Sequence, residues 1–252
     1  LERTPGLALT QWHFIRDHNN LTNDDILANC TENVIICHFL RIYNNILPNE
    51  YPCVILHIGK KSQKGALFMT YCLAVDIGAS SGRHIIGWQE NGTIMTQEVY
   101  RFPNGVSSQD GHLVWDMQAL FGHVVEGIRV AFASYPKIKS LSIDTWGVDY
   151  VLLKGDQEVW PCYAYRDSRT ERSIPVVHSI VPFEELYRHT GIQFQSFNTI
   201  YQLYCDKKSG KLQSAKHFLM MPEYLSFCLT GEIRNEYTNA TTTGLVNAKQ
   251  KT

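Results

Sequence analysis

The chain has almost no charge imbalance. Its 23 lysines and arginines face 24 aspartates and glutamates, a formal net charge of −1 over 252 residues. Without a basic surplus, neither nucleic acid nor an anionic membrane surface is indicated as a partner. No apolar segment reaches the roughly 20 residues that a membrane-crossing helix needs. The apolar stretch at 34–40 is short and broken by His38. The seven cysteines are odd in number and contain no C-x-x-C pair. That excludes a regular disulfide frame and a zinc ribbon, and fits reduced thiols packed as small hydrophobes in the cytoplasm. The ten histidines never fall at H-x-x-x-H or H-E-x-x-H spacing, so a histidine-built metal site is not expected. What remains is ordinary globular sequence, 44% hydrophobic and 19% charged, which rules out disorder and coiled coil.

The chain divides at Met69. Residues 1–68 have no methionine, many asparagines and weak periodicity, and are expected to be a non-native or divergent leader. From residue 69 to 252 the pattern is well-formed α/β sequence. A glycine-terminated apolar run predicts a buried strand over 73–78. Segments 84–89 and 93–102 flank Asn91-Gly92, a strong hairpin signal. Asp116 precedes an apolar stripe of Leu120, Val124, Ile128 and Phe132, which predicts a capped helix stopped by Pro136. Strands are predicted over 141–144 and 148–153, and helices over 181–189, 200–208 and 223–229, the last closed by Thr230-Gly231.

Three segments carry chemistry-bearing residues. The first is Asp76-Ile-Gly78-Ala-Ser-Ser-Gly82-Arg83, between two strands. An aspartate at a strand end suits a hydrated Mg²⁺, which keeps several of its waters. The turn amides with Ser80 and Ser81 form a nest for an anion, and Arg83 adds a positive charge fitted to phosphate. No Gly-Lys-Ser/Thr follows and no helix opens there, so this is neither a Walker A loop nor a dinucleotide fingerprint. A plain hairpin turn would have the same residues. The second segment, Ser142-Ile-Asp144-Thr-Trp146-Gly147-Val-Asp149-Tyr150, combines acids, an indole and a glycine in the manner of polyol sites, although a β-turn with solvated acids and a Trp filling the core reads the same. The third, Tyr163-Ala-Tyr165-Arg166-Asp167-Ser-Arg169, either orients a polar ligand or pins a loop by ion pairs. Further on, Asn198 is expected to cap a helix, and the hydroxyl-rich turn at 239–244 is expected to be structural.

Together, segments 75–83, 143–149, 164–170, 196–199 and 236–243 resemble, in order, the amino-terminal half of the FGGY carbohydrate kinases. The resemblance covers 69–252; in 1–68 there is no counterpart. It implies a ribonuclease H-like α/β fold of the actin and hexokinase type, a mixed sheet flanked by helices. It implies ATP and Mg²⁺ as cofactors, and γ-phosphoryl transfer to the 1-hydroxyl of a ketose. The 144–147 segment favours L-rhamnulose, and so a place in rhamnose breakdown, since glycerol-type relatives carry charged residues there. On this resemblance Ala79, Ser80, Ser81, Gly82 and Arg83 bind ATP, Asp76 organises the metal, and Gly147 and Trp146 adjoin the sugar. The family's general base is an aspartate in a His-Asp-Thr stretch of the carboxy-terminal domain. No such stretch occurs here, so no catalytic residue is assigned, the partner is the missing domain, and this chain alone is expected to be inactive. A non-catalytic sugar-binding or regulatory module, and a kinase of a related ketose or polyol, are the alternatives.

Overall fold

Residues 70–250 are described by a computed structural model; the expected leader at 1–68, with Cys30, Cys37 and Cys53, lies outside the described residues. The first strand, β1 (Tyr71–Ile77), alternates outward and buried positions and runs antiparallel to β2 (Ser81–Glu90). The hairpin continues into β3 (Thr93–Pro103) through Asn91 and Gly92, both at positive φ, 50° and 80°. Positive φ at both central residues is the turn whose twist matches paired strands. A second hairpin, β4 (Val106–Gln109) and β5 (His112–Trp115), turns at Asp110-Gly111 in the same way. That Asp-Gly signal lies in the sequence, where no hairpin was expected.

Asp116 caps helix α1 (Met117–Ser134), its side chain accepting from the Ala119 amide at 2.9 Å. The expected stripe is the buried face: Leu120, Val124, Ile128 and Phe132, with Ala131. It packs against Leu73, Val75, Ile77, Ile86 and Phe102 of the sheet in one core. Each fully buried aliphatic side chain contributes about 1.5–3 kcal/mol, so this stripe fixes α1 to one sheet face. Pro136 follows the end of the helix. β6 (Ile138–Thr145) then returns parallel to β1 and completes a mixed four-stranded sheet in the order β3-β2-β1-β6. The sheet's other face carries Cys72, Ala74 and Asp76 beside Ser140, Ser142 and Asp144. Cys72 is exposed there, contrary to the expectation of a buried thiol.

A three-stranded sheet in the order β8-β7-β9 follows, from β7 (Tyr150–Lys154), β8 (Gln157–Glu158) and β9 (His217–Met220). Between β8 and β9 lie the helices α2 (Ile174–Ile180), α3 (Phe183–Thr190), α4 (Thr199–Lys208) and α5 (Lys211–Ser214). After β9 come α6 (Met221–Thr230), closed by Gly231 in the left-handed region, and α7 (Tyr237–Ala240). The helix expected over 181–189 begins at Phe183 instead. Pro182 makes Val181 extended, and Val181 closes the preceding helix.

Candidate functional site

β1 and β6 are parallel neighbours, in register at Asp76↔Asp144 and Ile77↔Thr145. The segments that follow them, 78–80 and 146–148, therefore leave the same edge of the sheet. Ligands of α/β sheets gather at the carboxyl ends of parallel strands for this reason. The chain thus brings two of the three candidate segments to one place.

In the first loop, Asp76 and Arg83 are cross-strand partners. The guanidinium reaches Asp76 Oδ2 through Nε at 2.8 Å and Nη2 at 2.7 Å. Both side chains are nearly half exposed, 43% and 46%, so the pair faces solvent and is not sealed in the core. Both contacts fall on Oδ2, leaving Oδ1 outside the ion pair. A half-exposed carboxylate oxygen is a donor of the hard, single-ligand kind that suits a hydrated Mg²⁺. The turn is closed by the Gly78 amide donating to Ser81 O at 2.8 Å. Among the hydrogen bonds of the described residues, none uses the amides of Ala79 and Ser80 or the hydroxyls of Ser80 and Ser81.

Asn104, which no motif marked, braces this loop from the end of β3. Its amide donates to Ser80 O at 3.0 Å and its Nδ2 to Gly78 O at 2.8 Å. Neither Gly78 nor Gly82 has a positive φ. Gly82 is buried, and a Cβ on it would lie 2.1 Å from the Phe102 ring. The glycine is required by a ring packed over the loop, not by backbone freedom.

In the second segment the two acids part company. Asp144 is exposed beside Asp76. Asp149 is fully buried and accepts from Trp115 Nε1 at 2.7 Å, Trp146 Nε1 at 2.9 Å, the Tyr165 amide at 3.0 Å and Gln202 Nε2 at 3.0 Å. Burial pushes its carboxyl above the usual range, and these four donors pull the other way. Asp149 is therefore no sugar-facing acid; it anchors the turn. Trp146 is half-buried, tied to Asp149, and lies 4.2 Å from Trp115 between ring centroids. The strand expected from residue 148 begins at Tyr150, because Val148 sits at φ 69°. A β-branched residue there is strained, and such strain persists only where its surroundings enforce it. Here Thr199 Oγ1 donates to Val148 O at 2.7 Å, and Gln202 donates to it from the same helix. Gly147 is left between the two anchored residues, facing Thr242.

The third segment pins loops. Asp167 accepts from the Leu113 and Arg169 amides, and Arg169 pairs with the buried Asp206 at 2.5 Å. Asn198 stands at the start of α4 but does not cap it; its Oδ1 accepts from the Gln195 amide instead. Among the described residues no three His, Cys, Asp or Glu side chains are grouped to hold a metal, and no helix is long and apolar enough to cross a membrane. A cavity of about 590 Å³ lies beside the end of β6, lined by Asp144, Glu223, Glu232, Arg234 and Asn239 among others. No residue of the two loops borders it; Ile143 and Asp144 at the end of β6 do.

The amino-terminal domain of the FGGY family of carbohydrate kinases matches residues 71–252. The chain belongs to the FGGY family of carbohydrate kinases. Rhamnulokinase of Oceanobacillus iheyensis is 47% identical over 182 residues, 71% of this chain and 39% of that protein. A gluconate kinase structure from Lactobacillus acidophilus superposes with a TM-score of 0.61 at 21% identity, covering 73% of this chain and 38% of its own. A Plasmodium falciparum glycerol kinase, solved with ADP, superposes at 0.55 and 16% identity, covering 73% and 39%. This FGGY chain thus spans about two fifths of the length of the relatives it matches. Its fold is the ribonuclease H-like ATPase type, the mixed sheet flanked by helices that the five segments implied.

Proposed function

We propose that this chain supplies the phosphate-binding and sugar-facing wall of a kinase that transfers the γ-phosphoryl of ATP to the 1-hydroxyl of L-rhamnulose. The observation that carries this reading is the register of β1 and β6, which sets the Asp76–Arg83 loop beside the Trp146-Gly147 turn. The amides of Ala79 and Ser80, the hydroxyls of Ser80 and Ser81, and Arg83 bind the terminal phosphates, with Gly82 allowing Phe102 to support the loop from below. Asp76 would hold hydrated Mg²⁺, which would supply neutralisation of phosphate charge during transfer. The ketose lies against Gly147, with the Trp146 indole at its side. Support for the sugar comes from the rhamnulokinase relatives, and support for the nucleotide from the ADP-bound glycerol kinase.

Phosphoryl transfer is catalysed mainly by positioning and by charge neutralisation. These residues supply part of both. The proton-accepting aspartate we place outside them, so the 252-residue chain is expected to bind without steady turnover. Saturation-transfer NMR on that chain, with MgATP, L-rhamnulose and glycerol as probes, tests the reading. We expect signal on MgATP and L-rhamnulose, with the MgATP signal lost in Arg83→Ala. Signal on glycerol in place of L-rhamnulose overturns the sugar assignment. MgATP binding indifferent to Arg83→Ala overturns the phosphate site.

A further inference from the structure

The threonine-rich turn Thr241–Thr243 was expected to be structural, and each of its three hydroxyls donates to the carbonyl three residues earlier. Thr243 is 3% exposed; its hydroxyl donates to Ala240 O and accepts from the Leu245 amide. Thr241 donates to Thr238 O on the exposed side. Thr242 differs. A Cβ placed on Gly147 would lie 3.4 Å from Thr242 Oγ1 and 3.8 Å from its Cβ, so Thr242 bounds the space that the missing side chain leaves. Its hydroxyl donates to Asn239 O at 2.8 Å. That contact uses its single proton, and toward Gly147 the oxygen can only accept.

The turn has other supports besides the bond from Thr242 to Asn239 O. Glu223, 7% exposed, accepts from Asn239 Nδ2 at 3.1 Å and from the Glu236 amide at 3.3 Å. The Glu236 carboxylate accepts from the Thr238 and Asn239 amides at 2.9 and 2.8 Å. On the other side, Thr199 and Gln202 hold Val148 O, so Gly147 cannot withdraw. The result is a fixed acceptor over a fixed glycine.

We propose that Thr242 is a sugar-binding residue whose oxygen accepts a hydrogen bond from a hydroxyl of the ketose lying on Gly147. A site built to pair with a hydroxyl rejects analogues lacking it far better than an apolar wall does. The inference rests on the ketose reading above and assigns that ketose a second contact wall. The test is L-rhamnulose affinity of the 252-residue chain carrying Thr242→Val or Thr242→Ser, beside MgATP affinity of the same proteins. Valine is expected to weaken L-rhamnulose binding about tenfold, serine to keep it near the original, and neither to change MgATP binding. Thr242→Ala, smaller and also without a hydroxyl, is expected to repeat the valine loss, separating hydrogen bonding from crowding. L-Rhamnulose binding equal in the valine and original proteins overturns the inference alone. An original chain that binds MgATP but no L-rhamnulose overturns the ketose reading, and the inference falls with it.

Discussion

Gly82 and Asp149 show how single residues set the site without touching what it binds. The Phe102 ring occupies the place of a Gly82 side chain, so any larger residue must push either the ring or the loop. Overpacking of this kind costs about 1–3 kcal/mol. Gly82→Ala is therefore expected to lower unfolding stability by that amount, measured in urea, and to weaken MgATP binding as the loop shifts. Unchanged stability would contradict the packing of Phe102 on Gly82. In sequence Asp149 reads as a sugar-facing acid or as a solvated acid of a β-turn, and buried at 0% exposure it is neither. What decides is Trp115, 34 positions earlier, whose indole meets the carboxylate inside the core. No local pattern announces such a partner. The Asp76–Arg83 pair is different: both ends lie in one motif, and a strand-turn-strand brings them face to face.

At the scale of elements, the hairpin was legible and its register was not. Counting back from Asn91-Gly92 pairs Glu90 with Thr93 and continues evenly to Ile85 with Glu98, but a bulge then sets His84 opposite Tyr100. One extra residue in β3 carries Asn104, instead of Pro103, to Ser80. Proline has no amide proton to donate, so the brace on the phosphate loop exists because of the bulge. Bulges leave little trace in sequence, and for that reason Asn104 went unmarked. Helix α1 was readable in full, stripe, cap and stop. Its tightest contact was not: His84 of β2 fills the space a Gly127 side chain would take, and donates from Nε2 to Val124 O at 3.1 Å. Burial holds the His84 imidazole down, from 6.5 to about 4. The unfolded chain binds the proton more readily, so the contribution of neutral His84 is complete above pH 6.5 and is lost progressively as pH falls toward 4. The difference amounts to about 3 kcal/mol at most. Urea unfolding at a series of pH values should show stability falling across this window, and His84→Asn should flatten the fall. An equal slope in both proteins would contradict a buried neutral imidazole.

For the whole molecule, what matters is that one sheet face is sealed by α1 while the strand ends at one edge bear the phosphate loop and the glycine turn. Sequence order separates these two segments by more than sixty residues; the parallel return of β6 beside β1 joins them. The five segments named the family and its fold, since their order along the chain is itself information. They did not show that the 236–243 segment places Thr242 over Gly147, because that contact crosses between elements distant in sequence. The central claim is that nucleotide phosphates and ketose meet at this edge. Its most direct test is amide and indole NMR on the isotope-labelled 252-residue chain during titration with MgATP and then L-rhamnulose. MgATP should move the amides of Ala79, Ser80 and Ser81, and L-rhamnulose those of Gly147 and the Trp146 indole. Shifts confined to the Glu232, Arg234 and Asn239 cavity, with the two loops unmoved, would contradict the account.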